Sequence, residues 1–202
     1  MSAPALHPWE LPPEGPAAEA VAALTARLPV LETPRLVLRS PALADFDAYA
    51  AILCGPDTAH LGGPFDREAA WGDFCTYVAG WLLRGSGLWT VTLRDSGAVL
   101  GFVLVGMEYG DAEPELGYLF TEAAQGHGYA TEAAAAARDH ALDALALPSL
   151  VSYVAPEHDR SAAVARRLGA RRDGAAERAF ADDPVQVWRY AATGSGGAEA
   201  YA

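Results

Sequence analysis

The chain has 202 residues, enough for one domain with a full core, and its 51% hydrophobic content excludes a chain disordered throughout. A net charge of −12 at pH 7, with a pI of about 4.7, lacks the electrostatic footprint of a nucleic-acid binder and favours cationic partners such as amines or basic peptides. No apolar run is long enough to span a bilayer, and "MSAPALHPWELPPEGP" lacks the basic and apolar segments of a secretory leader, so no membrane partner and a cytoplasmic location are expected.

In chain order, residues 1–16 are proline-rich and read as loose or draped on the surface, and "AAEAVAALTARL" (17–28) has helical composition. "ETPRLVLRS" (32–40) alternates, with Leu36 and Leu38 on one face and Arg35, Val37 and Arg39 on the other, which predicts a strand. "ADFDAYAAIL" (44–53) reads as a short helix with Asp45 as N-cap, residues 54–65 as a long loop, and 66–84 as a second helix opened by Asp66. Within it Phe74, Tyr77, Val78 and Trp81 form a stripe at helical spacing that faces a core. "LWTVTL" (88–93), the turn "RDSG" and "AVLGFVLVGM" (98–107) form a hairpin pattern, and "PELGYLF" (114–120) is a further strand. A helix runs from Gly128 to Leu145 with an alanine run that permits close packing on a sheet. "SLVSYVA" (149–155) is a strand, "DRSAAVARRLG" (159–169) a helix ended by Gly169, and residues 170–192 close with a hairpin before a flexible tail. The order β–α–α–β–β–β–α–β–α–β–β is a mixed α/β domain without the strict βαβ alternation of a doubly wound sheet. It divides into an N-terminal extension with a helix (1–30), one α/β domain (31–191) and the tail (192–202).

All 14 basic side chains are arginine, which excludes a Schiff-base or P-loop lysine within the chain. Cys54 and Cys75 are too few and too far apart for a zinc motif or redox pair and read as reduced, buried thiols; no metal is expected. The patterns G-x-S-x-G, H-E-x-x-H and G-x-x-x-x-G-K-[ST] are absent.

"QGHGYATEA" (125–133) sets two glycines around a histidine at the mouth of a helix. Gly126 and Gly128 either make a plain turn or bare the helix N-terminus to an anion, since glycine lets a phosphate approach the backbone N–H groups. A strand, "ELGYLF", leads into this turn; a second strand, "SLVSYV", and a helix starting "PEHDRS" and closing "RRLGA" follow.

This succession resembles the GNAT N-acetyltransferase family, in particular its branch similar to ribosomal-protein N-terminal (alanine/serine) acetyltransferases. "LETPRLVLR", "HLGGPFDREAAW", "ELGYLFTEAAQGHGYATEA" and "PEHDRSAAVARRLGA" carry the resemblance, which runs from about residue 31 to 191. It implies a mostly antiparallel mixed sheet splayed at its centre, with helices on both faces. It implies acetyl-CoA as co-substrate, its pyrophosphate wrapped by the Q-x-x-G-x-A loop (Gln125, Gly126, His127, Gly128, Tyr129, Ala130, Thr131) and its pantetheine arm paired with the backbone of Leu119, Phe120 and Thr121. A backbone N–H near Tyr118 or Leu119 would polarise the acetyl carbonyl. His127 and Gln125 could add side-chain contacts, or both side chains point to solvent and only their amides act.

The same resemblance makes Glu115 the candidate base for the acceptor amine, or else an exposed strand carboxylate, with Glu113 as the alternative two residues back on the same strand face. Many family members carry a tyrosine four residues before the glycine that closes the late helix, where this chain has Ala165. Ser161 fills the role of acid to the departing thiolate in the ribosomal-protein-like branch, or else bonds its own backbone at the helix start. The usual asparagine of the "N-x-x-S" segment is His158 here, still able to donate to the cofactor. The expected activity is transfer of an acetyl group to a primary amine, a protein N-terminus or a small molecule, through a tetrahedral intermediate; the alternative is a non-catalytic acyl-CoA-binding or interaction module. A homodimer is a family-level expectation only.

Overall fold

The computed structural model describes residues 7–56, 58, 62–180, 182 and 184–191. The expected flexible tail (192–202), residues 1–6 and part of the 54–65 loop lie outside them. Eight strands form one sheet: β1 (Leu31–Glu32), β2 (Leu36–Arg39), β3 (Leu88–Leu93), β4 (Val99–Gly106), β5 (Glu115–Phe120), β6 (Val151–Val154), β7 (Arg171–Arg172) and β8 (Gln186–Arg189). Their order across the sheet is β1-β2-β3-β4-β5-β6-β8-β7. Every neighbouring pair is antiparallel except β5 and β6, which run parallel and pair only at Glu115 and Val151. Beyond that point Tyr118–Phe120 lose their β6 neighbour, and the sheet opens into a V.

Strand alternation divides the core between two faces. On one, Leu36, Leu38, Trp89, Val91, Val103 and Val105 pack under α4 (Tyr129–Asp139) and α5 (Asp159–Arg167). Ala133, Ala134, Ala137 and Ala141 are fully buried there, so the alanine run brings α4 close to the sheet as its small side chains allow. The chain continues from α4 into a π-helical turn, His140–Ala144, where the His140 ring meets Trp89 edge-on at 5.7 Å. On the opposite face, Leu88, Phe102 and Leu104 pack against α2 (Phe46–Leu53) and α3 (Arg67–Leu83) through Phe46, Tyr49 and Phe74. α1 (Gly15–Thr25) buries no residue, but the segment before it is anchored, because Glu10 is buried and pairs with Arg67 at 2.8 Å.

Several expectations need correction. The first strand is a small hairpin, since Thr33 receives the Leu36 amide on its hydroxyl and gives its own amide to the Leu36 carbonyl, turning the chain at Pro34 and Arg35. Asp66 caps α3 as expected, accepting from the Ala69 amide at 2.8 Å, whereas Asp45 does not cap α2. Its carboxylate turns back to the Ala42 amide, Arg39 and Thr90, a tertiary set that outcompetes the local cap. Cys54 and Cys75 are free as expected but exposed rather than buried. Phe74, not Cys75, takes the inward position on α3. Among the described residues no helix is long and apolar enough to cross a membrane.

Candidate active site

Where β5 and β6 separate, two hollows meet. A long cleft of about 1280 Å³ runs between β5, the Gln125–Gly128 turn, α4 and α5. A cavity of about 450 Å³ lies on the other side of β5, walled by α2, α3 and β6. Tyr118, Leu119, His158 and Ser161 line both, so these four mark the passage from one to the other.

The cleft ends on bare backbone. Gly126 and Gly128 hold φ of +79° and +78°, a conformation that L side chains rarely adopt, and a Cβ built on Gly126 would meet nothing within 4 Å. The space before the first turn of α4 is therefore open, with helix N–H groups turned toward it and the dipole favouring negative charge. Three arginines, Arg138, Arg160 and Arg167, also line the cleft. Gln125 braces the turn, donating to the Phe120 carbonyl at 3.4 Å and accepting from Arg160 at 2.6 Å. His127 is exposed and folds back on its own loop, its Nδ1 2.8 Å from the Gln125 carbonyl and its ring stacked on Tyr129.

The turn has a second brace that sequence reasoning did not find. Glu132, in the first turn of α4, accepts from the Thr33 hydroxyl at 2.6 Å, the Arg35 amide at 3.0 Å and Arg35 Nε at 2.6 Å. Burial works to raise its carboxyl, but these donors hold it below the usual range. Arg35 also donates to the His127 carbonyl at 3.0 Å and lies 4.6 Å over the Tyr129 ring.

On β5, backbone groups of successive residues point to opposite sides. The Thr121 amide is given to the Leu100 carbonyl on β4 at 3.0 Å, and Leu116 turns its carbonyl the other way, to Ser152 on β6. By that alternation Leu119 and Thr121 face β4, and the groups presented to the opened gap are those of Tyr118 and Phe120. Of the expected backbone set of Leu119, Phe120 and Thr121, the Phe120 groups face the gap and the amides of the other two face β4; the Tyr118 groups also face the gap.

At the passage, Ser161 Oγ donates to the Tyr118 hydroxyl at 2.9 Å, and that hydroxyl donates to the Ser161 carbonyl at 3.0 Å. Ser161 therefore spends its hydroxyl on Tyr118 rather than on its own helix backbone. Burial pushes the Tyr118 phenol up to about 12, against the Ser161 hydrogen bond, which pulls it down. A phenol thus stands beside Ser161 although Ala165 lacks one; position 118 lies 43 residues from Ser161, beyond any local motif. His158, at the N-cap position of α5, lines the same passage.

Glu115 opens β5 and lines the cavity. Burial pushes its carboxyl up to about 8; the nearby charges of Asp111 and Glu108 add to the shift, and the Tyr153 amide opposes it. Glu113 takes a different role from the one considered for it. It lies outside β5, and its two oxygens are held by Arg189, with Ser149 donating as well, so its carboxyl sits below the usual range. A carboxylate fixed in that way is a poor proton acceptor.

Residues 35–171 match the model of the acetyltransferase (GNAT) domain family. An acetyltransferase from Agrobacterium tumefaciens strain C58 is 42% identical, covers 81% of this chain and 95% of its own, and superposes with a TM-score of 0.76. The ribosomal-protein alpha-N-acetyltransferase RimL, solved in complex with coenzyme A, shares the fold at 17% identity and a TM-score of 0.65, over 81% of this chain and 98% of its own. The uncharacterised N-acetyltransferase YnaD of Bacillus subtilis (strain 168) is 31% identical over 84 residues, 42% of this chain and 49% of that protein, so the match spans about half of this curated relative.

Proposed function

The chain belongs to the GNAT acetyltransferase family, and from that premise we propose that it moves an acetyl group from acetyl-CoA to a primary amine held in the cavity behind β5. The observation that carries the reading is the meeting of a basic cleft and a separate cavity at Tyr118, Leu119, His158 and Ser161. Direct transfer needs two substrates to approach one point from opposite sides, and this arrangement supports it. A coenzyme A complex of RimL supports acetyl-CoA as the occupant of the cleft.

In this reading the amides of the Gln125–Gly128 turn, together with those of Tyr129, Ala130 and Thr131, hold the pyrophosphate, and Arg160 adds charge. The backbone of Tyr118 and Phe120 pairs with the pantetheine arm as an added strand would. Acetyl-CoA supplies the activated acyl group. The Tyr118 N–H, turned into the gap, stabilises the oxyanion of the tetrahedral intermediate. Glu115 takes one proton from the acceptor ammonium and passes it to solvent. The amine nitrogen forms its bond to the carbonyl carbon and sheds its second proton to Glu115, ionised again once the first has gone to solvent, and the carbon–sulfur bond breaks. Tyr118 protonates the leaving sulfur and regains a proton from solvent; until then Ser161 keeps its hydrogen bond to the phenol oxygen and stabilises the charge left there. Ser161 then acts through Tyr118 rather than as the acid itself.

The test is coenzyme A release and product mass, measured with acetyl-CoA and a panel of peptide and small-molecule amines. An acetylated product supports the reading. Coenzyme A bound with no amine acetylated would leave a non-catalytic acyl-CoA-binding module.

A further inference from the structure

The cavity behind β5 carries an uncommon charge arrangement for this molecule. Several carboxylates elsewhere in the chain are paired with arginine: Asp45 with Arg39, Glu132 with Arg35, Glu113 and Asp173 with Arg189, Glu177 with Arg172. Asp73, Glu108 and Glu115 all line the cavity, and no arginine is among its described lining residues. Two of these carboxylates are met by neutral donors instead: Tyr49 donates to Asp73, and Tyr77 to Glu108. Burial raises both phenols strongly, so they remain protonated and donate without contributing charge. Each carboxylate still has lone pairs free to accept further hydrogen bonds, since an ionised carboxylate offers about four acceptor sites. Asp73 and Glu108 line the cavity and not the cleft, so they stand apart from the passage residues shared by the two.

A single acceptor nitrogen does not account for three carboxylates. The reacting nitrogen must shed its charge, and Glu115, the carboxylate on β5, suffices for that. Asp73 is half-buried and Glu108 is exposed at the edge of the cavity, and together these two carboxylates set up a negative potential that a fixed cation on the substrate would offset. Resting on the reading that this cavity takes the acceptor, we propose that the acceptor is an amine bearing a second cationic group, and that Asp73 and Glu108, oriented by Tyr49 and Tyr77, hold that second charge while the first nitrogen reacts. The shared chemistry is a dication of limited length. It can come from a small diamine or from a peptide N-terminus followed by a basic side chain.

The test is calorimetric binding to the protein saturated with coenzyme A, with matched pairs of probes. These are 1,4-diaminobutane against butylamine, and alanyl-lysine amide against alanyl-leucine amide. The dication of at least one pair should bind more tightly by roughly 10–100-fold, the range for one charged hydrogen bond. The pair that shows the preference identifies the source. Asp73→Asn and Glu108→Gln should each shrink that ratio, as should added salt, with circular dichroism and coenzyme A affinity reporting that each variant is folded. Equal binding of both members in both pairs, or a ratio that neither variant alters, overturns the proposal. Turnover separates the two levels. Monocationic amines acetylated as fast as dications leave acetyl transfer standing and remove the dicationic acceptor. A dication preference in binding with no acetylated product keeps the acidic site and removes the transfer.

Discussion

Arg35 holds Glu132 across 97 residues of sequence, through its amide to Oε1 and its guanidinium to Oε2. The same guanidinium reaches the His127 carbonyl, so β2's hairpin is bolted to the glycine turn from behind. Both partners are partly exposed, and an ion pair of this kind contributes little to global stability, about 0–1 kcal/mol. Its effect should fall on the shape of the turn. Arg35→Ala is expected to weaken coenzyme A binding about tenfold by calorimetry, equivalent to about 1.4 kcal/mol, with the melting temperature nearly unmoved. Unaltered coenzyme A affinity would separate the brace from the cleft.

Gly128 makes the complementary prediction from the front. At φ +78° a β-branched side chain is strained, and its nearest protein neighbour, Arg35 Nη2, is 3.6 Å from a built Cβ, so the protein itself leaves room. Gly128→Val should therefore lower coenzyme A affinity strongly while the protein folds. A folded variant with wild-type affinity by calorimetry would remove the turn from the binding site.

How much of this could be read from the chain follows the range of each interaction. Leu36 and Leu38 alternate into the core, Asp66 caps α3, and the Gln125–Gly128 turn opens α4, because period and cap chemistry act over a few residues. The family signature likewise resides in contiguous segments. Arg35–Glu132 and Tyr118–Ser161 depend on which strands and helices become neighbours, and no local pattern marks them. The same cause explains Asp45 and Glu113. Both have acidic side chains whose local role was plausible, and in both an arginine on a strand claimed the carboxylate, Arg39 on β2 for Asp45 and Arg189 on β8 for Glu113. The acidic cavity was hidden for a related reason, since Asp73, Glu108 and Glu115 come from α3, the β4–β5 connection and β5.

Glu115 predicts opposite pH effects on stability and on turnover. Its carboxyl is raised from 4.5 to about 8 in the folded protein, so the folded state binds the proton more tightly than the unfolded chain. The stability this contributes is complete below about pH 4.5 and is lost as pH rises to about 8. Glu115→Gln, which never ionises, should match the wild-type melting temperature near pH 4.5 and exceed it by a growing margin up to about pH 8, then by a constant one. For turnover the sign reverses, because only ionised Glu115 accepts a proton. Wild-type kcat/KM should rise through about pH 8, and the variant should lose this limb. A difference in melting temperature that stays flat from pH 4 to 9 would contradict the buried carboxyl.

The Tyr118–Ser161 pair decides which hydroxyl serves as the acid. Tyr118 carries the more acidic proton, at about 12, and Ser161 donates to its oxygen at 2.9 Å, a bond that strengthens as negative charge forms there. If Tyr118 protonates the thiolate, Tyr118→Phe should lower kcat by roughly 10²–10⁴-fold, the usual span of general acid catalysis. Ser161→Ala removes only the supporting hydrogen bond and should cost less, roughly tenfold, for a loss of about 1–2 kcal/mol. Coenzyme A affinity should be nearly preserved in both, because the turn and the β5 backbone carry most of the binding. The double variant should be no slower than Tyr118→Phe alone, since Ser161 has nothing left to act through. Leaving-group dependence gives a second readout. A thioester whose thiol is more acidic than that of coenzyme A needs less protonation and should restore much of the rate lost in Tyr118→Phe. A larger loss in Ser161→Ala than in Tyr118→Phe would return the role of acid to the serine. Wild-type kcat in both variants would mean that the thiolate leaves without a proton from either hydroxyl, with backbone polarisation carrying the chemistry.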